Sequence, residues 1–173
     1  MILNDTTIQA MLDTGLVSYA EAGQINPASL NIRLGYTYLR PKIPQTVTLG
    51  GNIEYRMEEL RGRQTTTIMP GEFILATTLE RFVMPDNVAA FVQGRSSIGR
   101  IGLVVQNAGF VDPGFYGHIT LELKNDSYNP IVLRPGYPVA QMVFFETEAV
   151  SVPYHGKYNG QIEATGSRME AMD

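Results

Sequence analysis

His118-Ile119-Thr120-Leu121-Glu122-Leu123-Lys124-Asn125 alternates strictly between apolar and polar side chains. In an extended chain that period of two sends Ile119, Leu121 and Leu123 to one face. His118, Thr120, Glu122 and Lys124 go to the other. The stretch reads as a strand with one face on a core, and Glu122 on its own reads as a surface carboxylate paired with a cross-strand cation.

The same kind of signal recurs from about Gln24 onward. Short β-rich runs stand at Leu30–Leu34, Thr46–Leu49, Thr65–Ile68, Phe73–Thr77, Val88–Gln93, Leu103–Val105, Ile131–Leu133 and Gln141–Phe145. Pro70-Gly71, Asp112-Pro113-Gly114 and Pro135-Gly136 break the chain between them. Regularly spaced short strands with such turns predict a mainly β fold, a sandwich or distorted, jelly-roll-like barrel. Ahead of them, Asn4-Asp5 precedes Ile8, Met11, Leu12 and Leu16, which predicts a short N-terminal helix capped there and ended near Gly15. Glu54–Gln64 carries six charged residues and reads as a mobile loop or a short helix. Tyr154–Asp173 is polar and Gly-rich, and reads as a tail or a lid over an anionic ligand.

With 173 residues the chain fits a single domain, 1–173, with 154–173 as its C-terminal lid or tail. Hydrophobic residues at 44% and charged residues at 17% suit a globular protein with a real core. No apolar run approaches the roughly 20 residues of a membrane helix, and the N-terminus lacks a signal-peptide pattern, so a cytoplasmic location is expected. For a virus-encoded chain that would be the host cytoplasm. There is no cysteine, which excludes disulfides, thiolate catalysis and the Cys-dependent zinc sites of the familiar deaminases. A net charge of −4 argues against broad binding to nucleic acid.

Gly94-Arg95-Ser96-Ser97-Ile98-Gly99-Arg100 concentrates two guanidiniums, two hydroxyls and two glycines in one turn. Glycine admits phosphate to the backbone amides and arginine binds it in a bidentate, charge-assisted way. By itself the turn reads equally as a polar surface loop. Asn107-Ala108-Gly109-Phe110-Val111-Asp112-Pro113-Gly114 follows, with one carboxylate between apolar residues.

Taken in order, Gly94-Arg95-Ser96-Ser97, Ala108–Gly114 and Leu121-Glu122-Leu123 resemble the core motifs of the dCTP deaminase and dUTPase superfamily. Ile25–Leu30, Pro70–Phe73, Leu79-Glu80-Arg81-Phe82, Arg134-Pro135-Gly136 with Gln141, and Lys157–Gln161 extend that resemblance over nearly the whole chain. It implies a dUTPase-like distorted β-barrel that associates as a homotrimer, with active sites between subunits. It further implies that Glu122 is the general base for attack of water on C4 of cytosine, with Ser97 and Arg100 orienting that water. Arg95 and Ser96 then match the phosphate loop, while Gln141, Tyr154, Lys157 and Gln161 match further phosphate and lid contacts. Asp112 matches the carboxylate that holds the 3′-hydroxyl and positions a phosphoryl water. Asn107, Ala108, Gly109 and Phe110 match the segment against the pyrimidine. Magnesium is expected on the substrate phosphates through water, and no zinc.

Gly109-Phe110 stands where deaminases of single activity carry a bulky basic pair, and so resembles bifunctional dCTP deaminase–dUTPases. The implied reaction takes dCTP and water to dUMP, ammonia and pyrophosphate, in the supply of dTTP precursors, with dUTP as a second substrate. The alternatives are a deaminase or a dUTPase alone, or a non-catalytic nucleotide sensor. Arg100 to Asp112 is one residue shorter than the family spacing, and Gln106-Asn107-Ala108 replaces its usual His-x-Thr-Ala. Weak or absent feedback by dTTP is expected from that change.

Overall fold

Asn4 accepts a hydrogen bond from the Thr7 amide at 3.1 Å and so caps helix α1, Asp5–Asp13, which buries Ile8 and Met11. In this computed structural model, residues 1–106 and 109–169 are described. Strand β1 (Val17–Ser18), a 3-10 turn at Ala22–Gln24 and β2 (Ile25–Asn26) lead into the long β3 (Ser29–Pro41). Then follow β4 (Tyr55–Glu59), β5 (Thr66–Ile68), β6 (Phe73–Val83) and β7 (Val88–Gly94). A short helix α2 (Ser96–Gly99) precedes β8 (Leu103–Gln106), β9 (Phe110–Val111) and β10 (Tyr116–Asn125). Strands β11 (Ile131–Leu133) and β12 (Pro138–Glu146) complete the set.

Ten of these strands form one curled sheet along the path β8-β10-β6-β3-β12-β7-β9, with β1 on β6, and β2 and β4 on β3. Strand β3 makes the curl possible. Its first half pairs with β12 and its second with β6 and β4, with a register shift between Leu34 and Tyr38. Gly35 sits in that shift, where a Cβ would meet Thr77 Cγ2 at 2.4 Å and the Thr78 carbonyl at 2.8 Å. The free edges then converge, because β8 pairs with β10 while β9, a few residues later, pairs with β7. The fold is mainly β with a short N-terminal helix, as the alternation predicted.

The core follows the period of two. Leu30, Ile32 and Leu34 from β3, Met142 and Phe144 from β12, and Leu121 and Leu123 from β10 are all buried together with Ile8 of α1. The opposite face of one half of the sheet is not simply wet. Across the ladders, Leu39, Leu75, Glu122 and Gln106 are successive partners on β3, β6, β10 and β8, and Leu39 and Leu75 are buried.

Two expectations are corrected. Thr46–Leu49 is not a strand: Val47 and Leu49 are exposed. The Gln45 side chain ties this loop instead, donating to the carbonyls of Lys42 (2.7 Å) and Glu54 (3.0 Å). Glu54–Gln64 is neither a mobile loop nor a helix, since Tyr55–Glu59 pairs with Thr37–Pro41. Several of its charges are paired in place, Glu54 with Lys42 (2.8 Å) and Glu58 with Arg40 (3.3 Å), which also meets Glu72. A second ion pair anchors the N-terminal region. Fully buried Glu80 accepts from Arg33 Nε (2.7 Å), the Arg33 amide (2.9 Å) and Gln24 Nε2 (2.8 Å).

Candidate active site

The middle of β10 carries Thr120 and Glu122 on the face away from the core, and both open into a cavity of about 580 Å³. Gly109, Phe110 and Asp112 line it from β9 and its flanks, and Tyr154, Tyr158, Gln161 and Thr165 from the C-terminal segment. Glu122 is half-buried, and among the described residues no cation pairs with it. Its ladder partners are Leu75 and Gln106, so the cross-strand cation of a surface carboxylate is missing. Desolvation by that surrounding holds its carboxyl above the usual range. Asp112, exposed at the turn after β9, is the second carboxylate of the cavity.

Gly109 is required by backbone approach. Its carbonyl accepts from the Val92 amide at 2.9 Å, and a Cβ at this position would lie 2.8 Å from the Val92 carbonyl oxygen. This brings β9 onto β7 and closes one wall of the cavity.

The C-terminal segment is fastened to the body. The Tyr154 amide donates to the Pro113 carbonyl (2.9 Å) and the His118 amide to the Gln161 carbonyl (2.9 Å). Gln161 Oε1 accepts from Thr120 Oγ1 at 3.1 Å. Lys157 lies 5.9 Å from the centre of the Tyr158 ring.

The expected site residues thus separate into two groups. Asp112, Glu122, Gly109, Phe110, Tyr154 and Gln161 share the cavity. Arg95, Ser96, Ser97, Arg100, Gln141 and Lys157 do not line it. Ser96, Ser97 and Arg100 are exposed on or beside α2, while Arg95 Nη1 donates to the Pro138 carbonyl at 3.1 Å. Gln141 pairs with Gln93 on the neighbouring strand, close to the same end of β7. Asn107 and Ala108 lie outside the described residues. Among the described residues no cluster of three or more His, Cys, Asp or Glu could hold a metal, and no helix is long and apolar enough to cross a membrane.

A family model described as dCTP deaminase-like matches residues 2–147, taking in every strand and α2. The chain belongs to the dCTP deaminase-like family. Relatives named "dCTP deaminase, dUMP-forming" include one from Sulfurihydrogenibium sp. (strain YO3AOP1), 41% identical over 98% of this chain and 97% of its own length. Another, from Persephonella marina, is 39% identical over the same shares. Among solved structures, a 2′-deoxycytidine 5′-triphosphate deaminase from Agrobacterium tumefaciens matches 83% of this chain at TM-score 0.68 and 22% identity. This chain spans 47% of that longer one, and the likeness shows the shared family fold.

Family membership accounts for the motifs but not for several cavity residues that sequence reasoning missed. Gln106 lies opposite Glu122. Tyr55 enters from β4, and Thr165 and Gly166 from the tail, beside Ser167, whose hydroxyl type already marks it in the sequence as a ligand contact. Alternation along β10 does give Thr120, two residues before Glu122 and on its face. Nothing local marks Tyr55, because its place depends on pairing between β3 and β4.

Proposed function

We propose that this chain is a dCTP deaminase that forms dUMP and also hydrolyses dUTP. The half-buried Glu122, with no cation beside it and Asp112 on the same cavity, is the observation that carries this reading. The names of relatives that match nearly the whole chain support it.

Glu122 takes a proton from water as the oxygen attacks C4 of cytosine and passes it to N3, then takes the proton of the new C4 hydroxyl and hands it to the departing amine as C4=O forms. The C4–N bond breaks and ammonia leaves. A carboxyl held above its usual range by desolvation suits both transfers, since a shuttle works best when its pKa approaches the operating pH. A second water, positioned by Asp112, attacks the α-phosphorus. The bond to the β-phosphoryl oxygen breaks, giving dUMP and pyrophosphate, so the sum consumes two waters. Asp112 also holds the 3′-hydroxyl, while Gly109 lets β9 close onto β7 and so fixes the wall beside it. Asn107, Ala108 and Phe110 would border the pyrimidine.

The cationic half comes from a second copy. Arg95 and Ser96 bind phosphate, Ser97 and Arg100 serve Glu122 of the neighbouring subunit, and Gln141, Tyr154, Lys157 and Gln161 complete the triphosphate site. The separation of the α2 group from the cavity supports this, because one chain does not bring its own guanidinium to Glu122. An exposed aromatic face supports it independently. Phe91 packs edge-on against Phe110 (5.0 Å) and Phe145 (5.4 Å), with Phe91 41% and Phe110 51% exposed. Phe110 also lines the cavity, so a copy seated on this face would reach the cavity rim. A closed homotrimer repeats that head-to-tail contact three times.

The donor set fits magnesium carried on the phosphates: two separated carboxylates, and no acidic cluster among the described residues, favour contact through water over a protein cage. The ion would neutralise phosphate charge. The lid role of 154–173, as part of a single domain, a cytoplasmic setting and the absence of zinc, nucleic-acid and membrane roles belong to the same reading. Glu122→Gln tests it: ammonia release from dCTP should fall by about 10²–10⁴-fold, and undiminished release would remove Glu122 as the base.

A further inference from the structure

Beyond Gln161 the C-terminal segment makes contacts that nucleotide binding does not require. Ala164 is only 4% exposed and packs with Leu39 and Leu75, with Tyr55 and Phe73 against them. Its amide donates to Thr37 Oγ1 at 2.8 Å. The Ser167 amide donates to the Tyr55 hydroxyl at 3.4 Å, and a Cβ on Gly166 would lie 2.6 Å from the Tyr55 ring. Between these points, the Thr165 amide donates to Thr120 Oγ1 at 3.0 Å, the same hydroxyl that donates to Gln161.

The arrangement is a socket with a plug. Leu39 and Leu75 sit in the cross-sheet row that continues to Glu122, so an apolar gap beside the cavity needs a small apolar filler. Ala164 supplies it from the tail. Thr37 removes the cost of burying the plug's amide, which would otherwise lack a partner.

We propose that Thr37, Leu39, Leu75 and Tyr55 form a socket for Ala164, making Thr37 and Tyr55 positioning residues that hold the tail closed over the cavity without nucleotide. The inference rests on the proposed function in one respect, that the tail contacts the triphosphate. The pre-closed tail lowers the ordering cost of binding, so opening the socket acts mainly on KM. If the closed state falls to about a tenth of the population, the apparent affinity falls roughly tenfold.

Two measurements on the whole chain test this. Trypsin cleavage after Lys157 and Arg168, without nucleotide, should be slow in the native protein and roughly tenfold faster in Ala164→Glu, tracking the open population. The melting transition of the body should be unchanged. For dCTP turnover, Ala164→Glu should raise KM roughly tenfold with a much smaller change in kcat. Thr37→Val should move KM in the same direction, and Thr37→Ser should restore it. Equal cleavage of the native and Ala164→Glu proteins overturns the socket, and so does an unchanged KM in a variant that is cleaved faster. If the native protein does not turn over dCTP, the functional reading fails, while the cleavage rates still decide the socket.

Discussion

Glu122 and Leu75 face each other across the β10–β6 ladder, so the carboxylate has an aliphatic neighbour where a surface strand would offer a cation. The pKa of Glu122 is raised by desolvation. A base with a raised pKa must lose its proton before it works, so desolvation moves the acid limb of the kcat/KM profile for deamination above the ordinary carboxylate range, against the opposing pull of Arg100 from the neighbouring subunit. A profile that stays flat down to the pKa of a free glutamate would contradict that assignment.

The same shift has a stability consequence. Because the folded-state pKa exceeds the unfolded one, the folded chain binds the proton more tightly, and the charged form costs stability at neutral pH. In an Arg100→Ala background, which lacks the neighbouring subunit's guanidinium, adding Glu122→Gln should raise the melting temperature near pH 7. The difference should shrink as pH falls through the folded-state pKa and vanish below the unfolded-state one, and thermal melts across pH measure it.

Mixing tests the divided site. Arg100→Ala and Glu122→Gln should each be inactive alone, since one lacks the cation and the other the base. Random reassembly after dissociation should restore about a quarter of the native sites, because half of the subunits can supply each function. Absence of any recovered deamination, in mixtures shown to exchange subunits, would place both residues in one chain's site.

Glu80 carries stability and no chemistry. Glu80→Ala removes the buried acceptor of Arg33, leaving it the exposed Glu21 carboxylate and the Tyr19 carbonyl, and should cost about 3 kcal/mol in denaturant unfolding. At low temperature, turnover per folded molecule should stay near the native value.

Gly109→Ala should destabilise by about 1–3 kcal/mol through the collision with the Val92 carbonyl. Deamination and dUTP hydrolysis should both fall, as the cavity wall moves. Loss of hydrolysis alone, with native stability, would instead mean that the missing side chain matters only as space for water.

Much of the fold was legible because β10, β12 and the first half of β3 obey a period of two, and their buried sets follow from it. The family pattern was legible in the motifs, but not how the fold groups their residues. Gly94–Arg100 and Glu122 stand close in the family pattern, yet α2 does not line the cavity that Glu122 does. The charge-rich Glu54–Gln64 misled because its pairing with β3 and its ion pairs, Glu58 to Arg40 and Glu54 to Lys42, are long-range. Thr46–Leu49 misled in the opposite sense, having strand-forming residues and no partner strand. A usable signal was present at Phe73-Ile74-Leu75-Ala76, whose unbroken apolar run marks a strand covered on both faces. The cover is the C-terminal tail.

The central claim is best tested by following all products of dCTP with the native protein: ammonia, pyrophosphate and the nucleotide. Ammonia, pyrophosphate and dUMP in equal amounts are predicted, with dUMP and pyrophosphate from dUTP in a parallel reaction. Release of dUTP as the end product of dCTP, or formation of dUMP from dUTP with no ammonia from dCTP, would contradict it.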